Sequence, residues 1–123
     1  MRHVLPHMLA RGRGVVVNVS SLASIRDTGY TYPVYSAAKA AVNQFTVSLA
    51  LTYAGRGIRA NAVLPGLIDT PLVARHLVDD PSALAAETAA RHARSPTGRM
   101  GTPWQVADVA VFLASDRASY VNG

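Results

Sequence analysis

The sequence predicts an α/β fold organised on one parallel βαβ unit, and three stretches predict it. Val15-Val16-Val17-Asn18-Val19 is a β-branched run of the kind that a parallel sheet buries on both faces. A long helix is expected from about Val34 to Ala54, with Val42, Phe45 and Leu49 on one stripe. Ile58 to Leu64 is a second strand candidate, ended by Pro65-Gly66. Strand, helix and strand make a crossover, so the two strands should run parallel with a right-handed connection.

Composition bounds the rest. With 123 residues, half of them hydrophobic and 15% charged, the chain is one globular domain or part of one. There is no Cys, which excludes disulfides and cysteine-based zinc sites. No apolar run approaches a membrane span, and Pro6, His3 and His7 interrupt any signal peptide. A soluble cytoplasmic protein with no membrane partner is therefore expected. The net charge of +5 raises nucleic acid as a partner, but the basic residues are scattered. Only Arg11-Gly12-Arg13-Gly14 forms a short cluster, and no aromatics interleave with it, so no nucleic acid is expected.

Taken in order, residues 2–10 suit the end of a helix, with Val4, Leu5, Met8 and Leu9 on one face. His3 and His7 are four apart there, but Pro6 lies between them and no acidic partner is near, so no metal is expected. The first strand ends at Ser20-Ser21 and a loop with Asp27, Gly29 and Pro33 follows. Ala37, Ala38, Ala40 and Ala41 give the long helix a smooth surface, and Gly55 and Gly57 end it. Parallel strands would put Ser20-Ser21 and Pro65-Gly66 at the carboxyl edge, where open α/β sheets bind ligands. Residues 70–97 read as an excursion off the sheet. Thr70-Pro71 and Asp80-Pro81 each place a cap before a first-turn Pro, so two short helices are expected. Thr102, Pro103 and Gln105 open the last helix as a capping box, with Val106, Val109, Ala110 and Leu113 as its buried stripe.

One pair of residues has chemistry of its own. Eleven of the twelve basic residues are Arg, and Lys39 is the only Lys. It follows Tyr35 by four positions, so both project from one helix face. An ammonium is a compact charge that can sit beside a phenol and also bond hydroxyls, unlike a flat guanidinium. Such a pair is common in unrelated helices, and Ser20-Ser21 or Pro65-Gly66 alone would be ordinary turn-formers. Gly12-Arg13-Gly14 precedes a strand and has no third glycine, so it is not a dinucleotide fingerprint. No Gly-x-Ser-x-Gly elbow is present.

In order and spacing the pieces are specific together: Val17-Asn18-Val19-Ser20-Ser21, Tyr35-x-x-x-Lys39, Pro65-Gly66-Leu67-Ile68-Asp69-Thr70 and Phe112-Leu113-Ala114-Ser115-Asp116. Over nearly its whole length the chain resembles the carboxy-terminal half of a short-chain dehydrogenase/reductase. The resemblance implies part of a doubly wound Rossmann-type parallel sheet (β-α-β plus lid helices at 70–97 and a final helix). It implies hydride transfer between a nicotinamide cofactor, NAD or NADP, and a carbonyl or alcohol substrate. Tyr35 would be the general acid or base. Lys39 would favour the phenolate and bond the nicotinamide ribose. Ser21, chosen over Ser20 by the family pattern alone, would donate to the substrate oxygen. Pro65, Gly66, Ile68 and Thr70 would hold the nicotinamide end, Ile68 through its backbone and Thr70 through its hydroxyl. Arg75, Arg91 and Arg94 fall in the stretch that would shape the substrate pocket.

The departures are as informative. The family's glycine-rich pyrophosphate turn, its cofactor-selecting residue, its catalytic Asn and its final strand have no counterpart in the sequence. Poor cofactor binding and marginal stability are therefore expected of these 123 residues alone. The rival expectation is a catalytically silent fragment acting at most through association of the 34–54 helix with a second copy.

Overall fold

The computed structural model describes residues 1–74 and 80–123. Its elements are α1 (Leu5–Ala10), β1 (Gly14–Val19), α2 (Pro33–Tyr53), β2 (Ile58–Val63), α3 (Pro71–Ala74), α4 (Pro81–Arg94) and α5 (Pro103–Ala114). Short 3-10 turns occupy Leu22–Ser24, Ala54–Arg56 and Asp116–Ala118. The chain divides into two compact units, Met1–Pro65 with Asp108–Gly123, and Gly66–Ala107.

The first unit holds the expected crossover. β1 and β2 pair in parallel from Gly14↔Ile58 to Val19↔Val63. Pairing continues past the strands, with Ser20 N–H donating to Val63 C=O at 2.8 Å and Leu22 N–H to Pro65 C=O at 2.9 Å. The carboxyl ends of both strands thus finish side by side. α2 packs on one face, where Val16, Leu49, Ala50 and Ala60 form the core with Leu5, Met8 and Tyr53 against it. Burying a side chain such as Leu49 contributes about 1.5–3 kcal/mol.

The α2 register differs from the expected stripe. Phe45 is 47% exposed, and the buried positions are Thr46, Leu49 and Ala50. Thr46 replaces Phe45 because its hydroxyl has two partners at hand: it accepts from Asn18 Nδ2 at 2.8 Å and donates to Val42 C=O at 2.7 Å. An apolar count misses a polar residue whose bonds are satisfied internally. β1 is likewise not buried on both faces, since Val19 is 54% exposed. Nothing among the described residues packs α2's partner layer onto that strand.

α2 ends at Tyr53 and tightens into the 3-10 turn before Gly57, which takes φ 76°. That left-handed geometry suits glycine, and a Cβ there would collide with the Gly12 carbonyl. The C-terminal tail lies along the outer edge of β2. Ala60 N–H donates to Asn122 Oδ1 at 2.8 Å, and Gly123 N–H donates to Ala60 C=O at 3.0 Å. Arg59 gathers this end of the unit, donating to the carbonyls of Leu113 and Ser115 at 2.9 Å each and of Val121 at 3.4 Å.

In the second unit, Asp80 caps α4 by accepting from Ala83 N–H at 3.0 Å, and Glu87 pairs with Arg91 at 2.6 Å. α4 runs for 14 residues, longer than the short helix expected. The capping box of α5 forms as expected, Thr102 N–H to Gln105 Oε1 at 2.9 Å and Gln105 N–H to Thr102 Oγ1 at 3.3 Å. Of the stripe expected on α5, Leu113 is buried and Val109 is 46% exposed. Arg75 lies outside the described residues.

Thr46→Val keeps the shape but leaves the partly buried Asn18 amide without its Thr46 partner. Urea unfolding should then show a loss of about 1–3 kcal/mol.

Candidate active site

The carboxyl end of β1 and the first turns of α2 make one bonded assembly. Lys39, half-buried, donates from Nζ to Val19 C=O at 2.9 Å. In return Ser20 Oγ donates to Lys39 C=O at 3.0 Å. Two bonds in opposite senses therefore tie α2 to the strand end. The same Nζ stands 5.7 Å from the centroid of the Tyr35 ring, within reach of a cation–π contact. Tyr35 is 46% exposed.

Ser20 and Ser21, which the strand pattern could not tell apart, are in different situations. Ser20 is 4% exposed and its hydroxyl is committed to the helix backbone. Ser21 is half-buried, and its Oγ accepts from Ala23 N–H at 3.2 Å, capping the Leu22–Ser24 turn. A hydroxyl that accepts from the backbone keeps its own proton to donate. A further relay supports this turn: Asn43 Nδ2 donates to Ser24 Oγ at 2.7 Å, and Ser24 Oγ donates to Ser21 C=O at 2.5 Å. Asn43 and Ser24 were not singled out from the sequence. Their signal was available, since Asn43 lies one helical turn beyond Lys39 and Ser24 three residues beyond Ser21.

Pro65 belongs to the same assembly through its carbonyl, which accepts from Leu22 N–H. Gly66, exposed, begins the second unit. There Ile68 forms an isolated parallel bridge with Gly101. The bonds of that bridge run from Gly101 N–H to Leu67 C=O and from Asp69 N–H to Gly101 C=O, each 2.9 Å. In a parallel ladder the bridged residue's own amide groups then face the other side, so the N–H and C=O of Ile68 point away from Gly101. Thr70 is half-buried at the end of this segment. The structure thus joins Ser21, Tyr35, Lys39 and Pro65 within one unit and sets Gly66, Ile68 and Thr70 in the other.

A family profile described as enoyl-(acyl carrier protein) reductase matches residues 1–123. The chain belongs to the short-chain dehydrogenase/reductase family. Within this family it is 46% identical, over 125 residues, to 2-(R)-hydroxypropyl-CoM dehydrogenase of Xanthobacter autotrophicus, covering 99% of this chain and 46% of that protein. It is 48% identical to cis-4-hydroxycyclohexanecarboxylate dehydrogenase of Sinomonas cyclohexanicum, with the same two coverages. Among solved structures it resembles a gluconate 5-dehydrogenase of Burkholderia cenocepacia, in complex with NADP and tartrate, with a TM-score of 0.81 and 36% identity. That match covers 98% of this chain and 45% of the other. The chain spans a little under half the length of these short-chain dehydrogenase/reductase relatives. The Rossmann-type parallel architecture expected from the sequence is the architecture of the family. Among the described residues, no helix is long and apolar enough to cross a membrane.

Tyr35→Phe removes one oxygen from a half-exposed ring and should change stability by less than about 0.5 kcal/mol. Lys39→Met loses the bond to Val19 C=O and should cost about 1 kcal/mol. Denaturant melts of the two variants check this, and both should remain folded.

Proposed function

We propose that this protein is an NAD(P)-dependent oxidoreductase that interconverts a carbonyl and an alcohol, with residues 1–123 supplying the proton-transfer end of the site. The observation that carries the reading is the Lys39 ammonium, pinned to the end of β1 and standing over the Tyr35 ring. Family membership supports the same assignment.

The residues present suit the nicotinamide end of such a cofactor. Lys39 has three N–H donors and commits one to Val19, leaving two for ribose hydroxyls. Ile68 presents one backbone donor and one acceptor away from its bridge, the complement of a carboxamide. Pro65, Gly66 and Thr70 would help hold the nicotinamide end, Thr70 through its hydroxyl. When bound, the nicotinamide supplies or accepts the hydride.

The chain's own residues do the rest. Tyr35 gives its phenolic proton to the substrate oxygen in reduction and takes it back in oxidation. The Lys39 ammonium keeps its place against the Tyr35 ring through both steps, held by its bond to Val19 C=O. Ser21 donates to the substrate oxygen, where negative charge gathers in the transition state, and the Asn43–Ser24 relay keeps its turn in place. Ser20 has no part in the chemistry; its bond to Lys39 C=O fixes the helix. Residues 70–97 would form a substrate lid, with Arg91 and Arg94 on α4. The small-molecule substrate would be an alcohol or carbonyl compound, as in the names of the dehydrogenase relatives.

A second reading concerns association. α2 leaves Val34 at 82% exposure and Leu51 at 79%, along with the exposed Ala37, Ala38 and Ala41. This surface suits close approach of a second copy, and homo-oligomers through α2 follow from it.

The test is a graft. Residues 1–123 would replace the matching segment of 2-(R)-hydroxypropyl-CoM dehydrogenase, and alcohol oxidation would be followed by nicotinamide absorbance. Tyr35→Phe in the folded graft should lower kcat by about 10²–10⁴. Lys39→Arg should not substitute for Lys39, because a guanidinium is too broad and too firmly charged to fill the same place. A folded, active graft indifferent to Tyr35→Phe would overturn the reading. The 123-residue chain by itself has no glycine-rich turn to wrap a pyrophosphate, so NADP+ should raise its Tm by no more than about 1 °C.

A further inference from the structure

We propose that Tyr30 and Tyr32 form an aromatic shelf that seats the ring of a cyclic alcohol or ketone beside Tyr35. This rests on the reading of Tyr35 as the acid–base residue and deepens it by naming a substrate class. Three of the chain's five tyrosines fall within six residues, at 30, 32 and 35. Their rings are in contact. Tyr30 and Tyr32 lie 16° from parallel with centroids 6.0 Å apart, and Tyr32 meets Tyr35 at 78° with centroids 6.4 Å apart. At that spacing two near-parallel rings are displaced sideways, so each covers only part of its neighbour's face.

The shelf is held and open at the same time. Tyr32 sits at the N-cap of α2, where its carbonyl accepts from Ser36 N–H at 2.8 Å. That bond fixes the backbone beneath the ring one turn ahead of Tyr35. Yet Tyr32 is 52% exposed. Half-exposed rings grouped beside a candidate reactive hydroxyl are poorly explained as core packing, which would have buried them. The stretch Thr28 to Ala38 contains no charged residue. The Tyr30 and Tyr32 rings therefore offer an apolar face, and the Lys39 ammonium lies at the Tyr35 end of the shelf. A saturated or aromatic ring presents a flat array of C–H or π groups to such a shelf. An open chain of the same carbon count presents less surface at once and loses more rotational freedom on binding.

The experiment uses the 123-residue chain and two alcohols of equal carbon number, cyclohexanol and hexan-2-ol, each titrated while tyrosine ring resonances are followed by NMR. Cyclohexanol should move the Tyr30 and Tyr32 signals and half-saturate at a concentration on the order of three- to tenfold lower than hexan-2-ol. Tyr32→Leu should erase that difference, whereas Tyr32→Phe, which keeps the ring, should retain it. Equal half-saturation in the unaltered chain, or shifts confined to other residues, would overturn the shelf without any variant having to fold. Ring preference without hydride transfer in the graft would remove only the assignment of Tyr35. Turnover without ring preference would remove only the shelf.

Discussion

The candidate site depends on how α2 is fastened to the end of β1. A helix crossing a sheet is held mainly by apolar contact, which is non-directional and leaves freedom to slide and rotate. Here Val16, Leu49, Ala50 and Ala60 supply that contact toward the far end of α2. At the near end, Lys39 gives a hydrogen bond to Val19 C=O and receives one at its own carbonyl from Ser20. Each such bond contributes only about 1 kcal/mol net. Their value is directional, because together they set the rotation of the first turns of α2 and hence where Tyr35 and Lys39 project.

The same fastening separates two adjacent serines into different jobs. Pairing of Ser20 with Val63 and of Leu22 with Pro65 carries the ladder beyond the strands. Alternation then turns Ser20 inward to the helix and leaves Ser21 at the start of a tight turn. The turn is braced by Ser24 and Asn43, so three polar side chains on two elements converge on one short stretch of backbone. Such bracing holds the Ser21 backbone and hydroxyl in one position.

Much of the scaffold was legible from residue types. The β-branched run at Val15–Val19, the caps at Asp80 and Thr102, and the parallel order of the strands each follow from local chemistry with one dominant cause. What failed to show was anything decided by two distant residues together. Thr46 took the buried position expected of Phe45 because Asn18, 28 residues away, satisfies its hydroxyl. The strand pattern did not separate Ser20 from Ser21, and the bond that sets them apart structurally, Ser20 Oγ to Lys39 C=O, joins residues 19 apart. The residue types at Tyr30 and Tyr32 were plain to see, but the contacts of Tyr30 with Tyr32 and of Tyr32 with Tyr35 depend on the path of the loop into α2.

The tail from Val121 to Gly123 has a consequence for colloidal behaviour. By engaging both backbone groups of Ala60 it occupies the middle of one flank of a two-stranded ribbon. Unpaired flanks are templates for strand addition by other molecules. Among the described residues the opposite flank, along Val15 to Val17, pairs with no strand, so charged or proline substitutions meant to suppress strand addition belong there.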